Sequence, residues 1–244
     1  MGHIAGTHPL AGRYIGMEAR ASREERFARR YVGKGASSYE RERAGDKWDA
    51  EEAAFDELYG RVRPRSVLDC PVGTGRFIDR YARDGVSALG VDLSEDMLAE
   101  AREKVPPGAH VRLLKANVLD PAHAERLGRD HDLVVCVRFV YAVEKSKLQG
   151  LFRTFSQTGA KHLLVGMRVW PEGTTWGTYF HWYVWNSAKG RPRGPRHWRR
   201  YVSRESTFRK LIEDCGWEVV DSRSVQEPDP VGKYFYLLRN TTAS

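Results

Sequence analysis

The stretch Ser66-Val67-Leu68-Asp69-Cys70-Pro71-Val72-Gly73-Thr74-Gly75-Arg76-Phe77 decides the fold. Val67 and Leu68 have the apolar character of a buried strand, Pro71 to Gly75 form a turn that needs bare backbone, and Phe77, Ile78, Tyr81 and Ala82 fall at helical spacing. A strand, a glycine-rich turn and a helix N-terminus in that order build a ligand site at the carboxyl edge of a parallel sheet. Asp69, at the strand end, narrows the ligand. A carboxylate there repels a pyrophosphate and suits an ammonium or sulfonium charge. The dinucleotide fingerprint G-x-G-x-x-G fails as well, because Ile78 holds the third glycine position after Gly73 and Gly75, and the phosphate loop G-x-x-x-x-G-K-S/T is missing.

Downstream, Val86 to Ser94 is a second strand ending in Asp92, 17 positions beyond Gly75. That is close to the spacing at which an acid on the second strand accepts hydrogen bonds from ribose hydroxyls. Ser94 is placed to cap the next helix, with Glu95 and Asp96 in its first turn. His110 to Asn117 forms a third strand, and Asp120 caps the turn after it. Asp132 to Cys136 forms a fourth strand, whose carboxyl end and following loop, through Tyr141, face the crevice beside the first. Arg138 sits in an apolar stretch and must meet an acid, a carbonyl or an anionic ligand. Tyr141 is either a packed aromatic or a substrate contact. Leu151, Phe152 and Phe155 mark a helix, and Lys161 to Met167 a fifth strand with His162 exposed at its start. Arg204 to Cys215 is another helix, before closing strands at 216–220 and 233–238. Upstream, residues 1–45 form an extension, partly flexible or helical. Tyr39, Trp48, Ala53, Ala54, Phe55, Leu58 and Tyr59, between Ser37 and Gly60, outline an amphipathic helix that packs on the sheet.

Composition sets the outer bounds. At 244 residues and 41% hydrophobic content the chain suits one domain, residues 46–244, with room for an insertion at about 169–203. No apolar run approaches the ~20 residues that span a bilayer, and residues 1–16 lack the pattern of a secretory signal, which points to the cytoplasm. Cys70, Cys136 and Cys215 are far apart in apolar surroundings; they suit small buried hydrophobes and not a metal or disulfide set. The net charge of +8 is local: between Glu172 and Glu205 there is no acid, while Lys189, Arg191, Arg193, Arg196, Arg199, Arg200 and Arg204 supply seven positive charges.

Asp69, Gly73 and Gly75, followed by this ordered series of strands, resemble the first motif of the class I S-adenosylmethionine-dependent methyltransferases, acid-x-G-x-G-x-G, within which the chain is most similar to the small-molecule, ubiquinone/menaquinone-methyltransferase-like type. Pro71 stands where the family has its first glycine, Asn117 where it has an acid contacting the adenine amino group, and no histidine lies near Tyr141. The resemblance implies a Rossmann-like α/β three-layer sandwich with a mixed, mostly parallel seven-stranded sheet whose last strand is antiparallel. It implies S-adenosylmethionine as methyl donor, with S-adenosylhomocysteine as product, contacted by Asp69, Pro71, Gly73, Gly75, Asp92, Leu93, Met97, Asn117, Val118 and Val137. It also implies that a leading segment near Tyr39, Lys47 and Trp48 covers the cofactor.

The insertion should then govern acceptor choice, since it follows the fifth strand and mixes the basic cluster with Trp170, Trp176, Tyr179, Phe180, His181, Trp182, Tyr183, Trp185 and Trp198. Three readings stay open. In the first, the acceptor is a small molecule, anionic or ring-bearing, with Arg138, Tyr179, Trp182, Arg196 and Arg199 as contacts and Tyr141, Tyr179 or His181 as a base where a proton must leave. In the second, Arg191 to Arg204 grip nucleic-acid phosphates while aromatic rings stack a base. In the third, the protein binds the sulfonium nucleoside without methylating.

Overall fold

Short apolar runs alternating with amphipathic helices generate a layered sheet, seen in a computed structural model that describes residues 46–170, 172, 173, 175, 177, 178, 180, 181, 184, 203–226 and 231–243, with only the backbone at 46–48 and 226. The elements are α1 (Asp46–Val62), β1 (Ser66–Asp69), α2 (Ile78–Arg83), β2 (Ser87–Asp92), α3 (Glu95–Glu103), β3 (Val111–Lys115), β4 (Leu133–Cys136), α4 (Lys145–Gln157), β5 (His162–Trp170), β6 (Ser203–Arg204), α5 (Glu205–Glu213), β7 (Trp217–Gln226) and β8 (Gly232–Asn240). Single 3-10 turns at Pro121–Leu127 and Val140–Ala142 precede β4 and α4.

The strand order is β3-β2-β1-β4-β5-β8-β7. Strands β1 to β5 run parallel, and β8 lies antiparallel between β5 and β7. The order reverses between β1 and β4, which opens a crevice at their carboxyl ends. Seven strands make up this path, and Ser203 and Arg204 add a short parallel strand, β6, against Val169 and Trp170. Strand β5 pairs with β8 as far as Val169↔Gly232.

Helix α1 presents Ala54, Phe55, Leu58 and Tyr59 to Val67, Leu133, Val135 and Leu164 on one sheet face. Phe55 and Phe77 stack with ring centroids 3.7 Å apart. Ala53, expected in that stripe, is exposed. The other face packs Leu148, Leu151, Phe152 and Phe155 of α4 and Phe208 and Ile212 of α5 over Leu68, Val134, Leu163 and Val165. Trp217, fully buried there, donates its indole N–H to the Phe152 carbonyl at 3.0 Å. All three cysteines are buried free thiols. His162 is half-buried and not exposed; its Nδ1 is enclosed without a partner, and burial pulls its pKa below the usual imidazole range. Among the described residues no helix is long and apolar enough to cross a membrane.

Charge joins α1 to the sheet. The Glu51 carboxylate, 1% exposed, receives Arg76 at 2.6 Å and Arg138 at 2.7 Å, and it also pairs with Lys233. The neighbouring Glu52 takes both Arg76 and Arg80, and Arg80 continues to Asp56. Arg138 holds a left-handed backbone, φ 63, and such a conformation in a non-glycine residue costs on the order of 1–3 kcal/mol unless its surroundings fix it. The Glu51 pair is one such fixture.

Two stability outcomes follow from these contacts. Glu51→Ala removes the carboxylate that three largely buried cations share and is expected to lower unfolding free energy by about 3–5 kcal/mol, whereas Arg102→Gln, which breaks an exposed pair with Glu95, should change it by less than about 1 kcal/mol. Gly75→Ala is expected to cost about 2–3 kcal/mol, because its φ of +77 disfavours a side chain and the new Cβ would meet Ile78 Cδ1 at 2.5 Å and the Ala101 backbone at 3.1 Å. Gly60→Ala, on an open part of α1, should instead stabilise by about 0.5–1 kcal/mol. Urea midpoints of the four variants test both statements.

Candidate functional site

The turn after β1 sets the site. Asp69 ends the strand, the Cys70–Pro71 peptide is cis, and Gly73 takes φ +57 in the turn that leads to α2. The Val72 amide donates to the Val91 carbonyl at 2.8 Å, which draws this turn toward the end of β2. Asp92 completes the link: one carboxylate oxygen accepts the Gly73 amide at 3.0 Å and the other the Ser94 amide at 2.8 Å. Ser94 in turn caps α3 through the Met97 amide.

These turns enclose one cleft. It is lined by Asp69 to Thr74, Arg76, Phe77, Val91 to Ser94, Met97, Ala116 to Val118, and Val137 to Phe139. Among the expected cofactor contacts, Asp69, Pro71, Gly73, Asp92, Leu93, Met97, Asn117, Val118 and Val137 therefore share one wall-to-wall space. Gly75 does not line it. Its role is to let α2 lie close to α3, since a side chain there would strike Ile78 and Ala101.

Electrostatics give the cleft its chemistry. Asp69, 3% exposed, accepts the Tyr81 hydroxyl at 3.0 Å. Burial pushes its pKa up to about 8, with the Tyr81 hydrogen bond opposing and the Asp92 carboxylate adding to the rise. Asp92 is also raised by burial, against the pull of the Ser94, Gly73 and Leu93 amides. Two acids that resist ionising beside one another are the environment in which a cationic ligand gains most. Asn117 turns its side-chain oxygen to the Leu119 amide at 3.0 Å, which leaves the second lone pair and the amide NH2 for a ligand. Asp120 caps the following turn through Ala122, as its position in the sequence implies.

The acceptor-side residues are divided. Arg138 lines the cleft and finds its acid in Glu51. Tyr141 is not among the lining residues; its ring lies under the Arg168 guanidinium, 4.9 Å from centroid to Cζ. His181 is exposed. Tyr39, Tyr179, Trp182, Arg196 and Arg199 lie outside the described residues, as do the side chains of Lys47 and Trp48. Three residues that matter here gave little signal in the sequence. Glu51 looks like one more acid of a solvated helix face, Lys233 like the polar start of a strand, and Arg168 like an outward position of β5. Among the described residues no cluster of three or more His, Cys, Asp or Glu side chains has the geometry of a metal site.

Comparison with known proteins places this architecture. Residues 67–159 match the family model described as a methyltransferase domain. A protein of Geobacillus sp. (strain WCH70) named as a methyltransferase is 41% identical over 59 residues, and that match spans only 24% of the relative's length and 24% of this chain. The crystal structure of magnesium protoporphyrin IX methyltransferase from Synechocystis PCC 6803, with S-adenosylhomocysteine bound, superposes with a TM-score of 0.64 at 17% identity, over 88% of this chain and 98% of that one. Phosphoethanolamine N-methyltransferase 2 of Haemonchus contortus gives 0.63 at 15% identity, over 91% of this chain and 61% of the other. The cyclase SpnF gives 0.54 at 14% identity, over 76% and 80%. Residues 67–159 thus match a methyltransferase domain, and the sheet and helices around them share the fold of the class I S-adenosylmethionine-dependent methyltransferases.

Proposed function

We propose that the protein is an S-adenosylmethionine-dependent methyltransferase acting on a small-molecule acceptor. The observation that carries this reading is the placement of two acids, buried Asp69 and half-buried Asp92, around a bare glycine turn on one mainly apolar cleft. A phosphate-rich cofactor meets repulsion there, and a cationic nucleoside meets attraction. Bound there, S-adenosylmethionine supplies a methyl group activated by its sulfonium centre.

The chain's own groups have separable tasks. Asp69 holds the amino-acid ammonium by charge, and the free lone pairs of Asp92 accept ribose hydroxyls. Met97, Leu93 and Val118 flank the base, and Asn117 meets its polar edge. Val137, Arg138 and Phe139 end the wall nearest β4 and β5, where an acceptor would approach. Most of the rate gain in such a transfer comes from positioning, so a side-chain base matters only if the acceptor must lose a proton. Relatives of this fold include a cyclase, so transfer of the methyl group has to be measured directly. Methyl-labelled S-adenosylmethionine is incubated with the protein and a cell extract, with and without nuclease. Label in a nuclease-resistant small-molecule fraction is expected. Label lost from macromolecules after nuclease would replace the small acceptor with nucleic acid, and no label anywhere despite nucleoside binding would leave the fold as a binding module.

Two further outcomes concern the cofactor alone. Asp92→Ala should weaken S-adenosylhomocysteine by about 1–3 kcal/mol, roughly ten- to hundredfold, by calorimetric titration. Asp69 makes the same affinity pH-dependent. The empty site holds the proton below about pH 8, and an ammonium beside Asp69 lowers the folded pKa, so binding releases a proton. Affinity should therefore climb as pH rises toward 8 and level off above it. Titrations in two buffers of different ionisation enthalpy should report the released proton, and Asp69→Asn should abolish the slope.

A further inference from the structure

Strand β5 outruns its neighbour. Its pairing with β4 stops at Cys136↔Val165, while its pairing with β8 continues through Arg168↔Lys233 to Val169↔Gly232. Residues 166–170 therefore project past the carboxyl edge at which the cleft opens. Strand alternation fixes which way they face. Leu164 belongs to the layer beneath α1, and Met167 and Val169 to the opposite layer, so Gly166 and Arg168 share the α1 face with the Glu51 cluster. Gly166 lies against Phe235 and the Arg138 backbone: a Cβ there would stand 3.1 Å from Phe235 Cε1 and 3.6 Å from the Arg138 amide nitrogen. Arg138 lines the cleft, and Arg168 lies two residues beyond Gly166 on the same face of β5.

Arg168 differs from the cations beside it. Arg76, Arg138 and Lys233 each pair with Glu51. Arg168 is half-buried, rests on the Tyr141 ring, and has no carboxylate within ion-pair distance among the described residues. A ring face returns less to a guanidinium than a carboxylate or phosphate bound through two parallel N–H donors. Taking the methyltransferase reading as its basis, we infer that Arg168, backed by Tyr141, is the anion-recognition point for the acceptor, which carries a carboxylate or phosphate close to the atom that receives the methyl group. Arg168 is a specificity-determining residue in this arrangement, and Tyr141 fixes its guanidinium instead of serving as a base.

The test uses the whole protein saturated with S-adenosylhomocysteine, titrated calorimetrically with benzoate and with phenyl phosphate, and with uncharged benzamide as control. At least one anion should bind and benzamide should not. Arg168→Gln should weaken that anion about tenfold or more, Arg168→Lys should retain it better because the charge stays and only the fork is lost, and S-adenosylhomocysteine affinity should be equal in all three proteins. Nucleoside affinity also reports the fold of each variant, and Arg168→Met substitutes for Arg168→Gln if the latter does not fold. Equal anion affinity in wild type and Arg168→Gln overturns the inference, as does failure of both anions to bind a protein that binds the nucleoside. Loss of nucleoside affinity in a folded Arg168→Gln overturns it too, because the anion would then be the cofactor's own carboxylate. Failure of the wild type to bind S-adenosylhomocysteine strikes the underlying methyltransferase reading instead.

Discussion

Glu51 lies almost wholly out of water and meets Arg76, Arg138 and Lys233, which come from the glycine loop, the end of β4 and the start of β8. Desolvating a carboxylate costs several kcal/mol, and only close, well-aligned cations offset it. The same carboxylate therefore dictates where α1, the cofactor turn and the two central strand ends lie with respect to each other. Arg138 in turn is kept in its left-handed backbone, which brings it onto the cleft wall. Hydrophobic packing of Phe55 on Phe77 supplies much of the adhesion along α1, but it is less directional. The ion cluster is what specifies the register of the helix over the turn.

A second electrostatic tension sits across the cleft. Burial disfavours ionisation of both Asp69 and Asp92, and at Asp69 the Asp92 carboxylate adds to the effect. Backbone amides relieve Asp92, while Asp69 has one hydroxyl donor, Tyr81. The cleft is therefore short of positive charge beside Asp69, while Arg138 stands on its wall at the end of β4 and Arg168 lies beyond it on β5. A ligand that carries a cation toward β1 and an acceptor that carries an anion toward β5 would satisfy both ends. That polarity follows from residue placement along one sheet edge and needs no metal.

Much of this was readable before any coordinates. Asp69, Gly73 and Asp92 sit at fixed offsets because a strand, a turn and a second strand leave few ways to reach a shared ligand, so local spacing encodes three-dimensional position. Ser94 and Asp120 were legible as caps for the same reason: a cap bonds to an amide two or three residues away. Glu51 and Lys233 were not legible, since their contact joins positions far apart in the chain and nothing local distinguishes a buried acid from a solvated one. The two-residue strand β6 escaped notice because a pair of residues carries no periodicity. Gly75 was expected to touch the cofactor through motif position, whereas its bare Cα serves helix packing, and both demands produce the same glycine.

The division between legible and illegible residues also follows the sheet. The acids proposed for the cofactor come from its first half, where connections are short and each acid follows its strand directly. The residues proposed for the acceptor come from the late strands, where β5, β6 and β8 meet and where long-range register decides which side chains share a face. Arg168 illustrates the difference. Within the sequence it is an arginine in a strand of alternating character, but opposite Lys233, two residues past Gly166 and over Tyr141 it becomes a cation with a ring behind it. The anion preference proposed for Arg168 therefore depends on register between strands far apart in the chain, which local spacing does not encode.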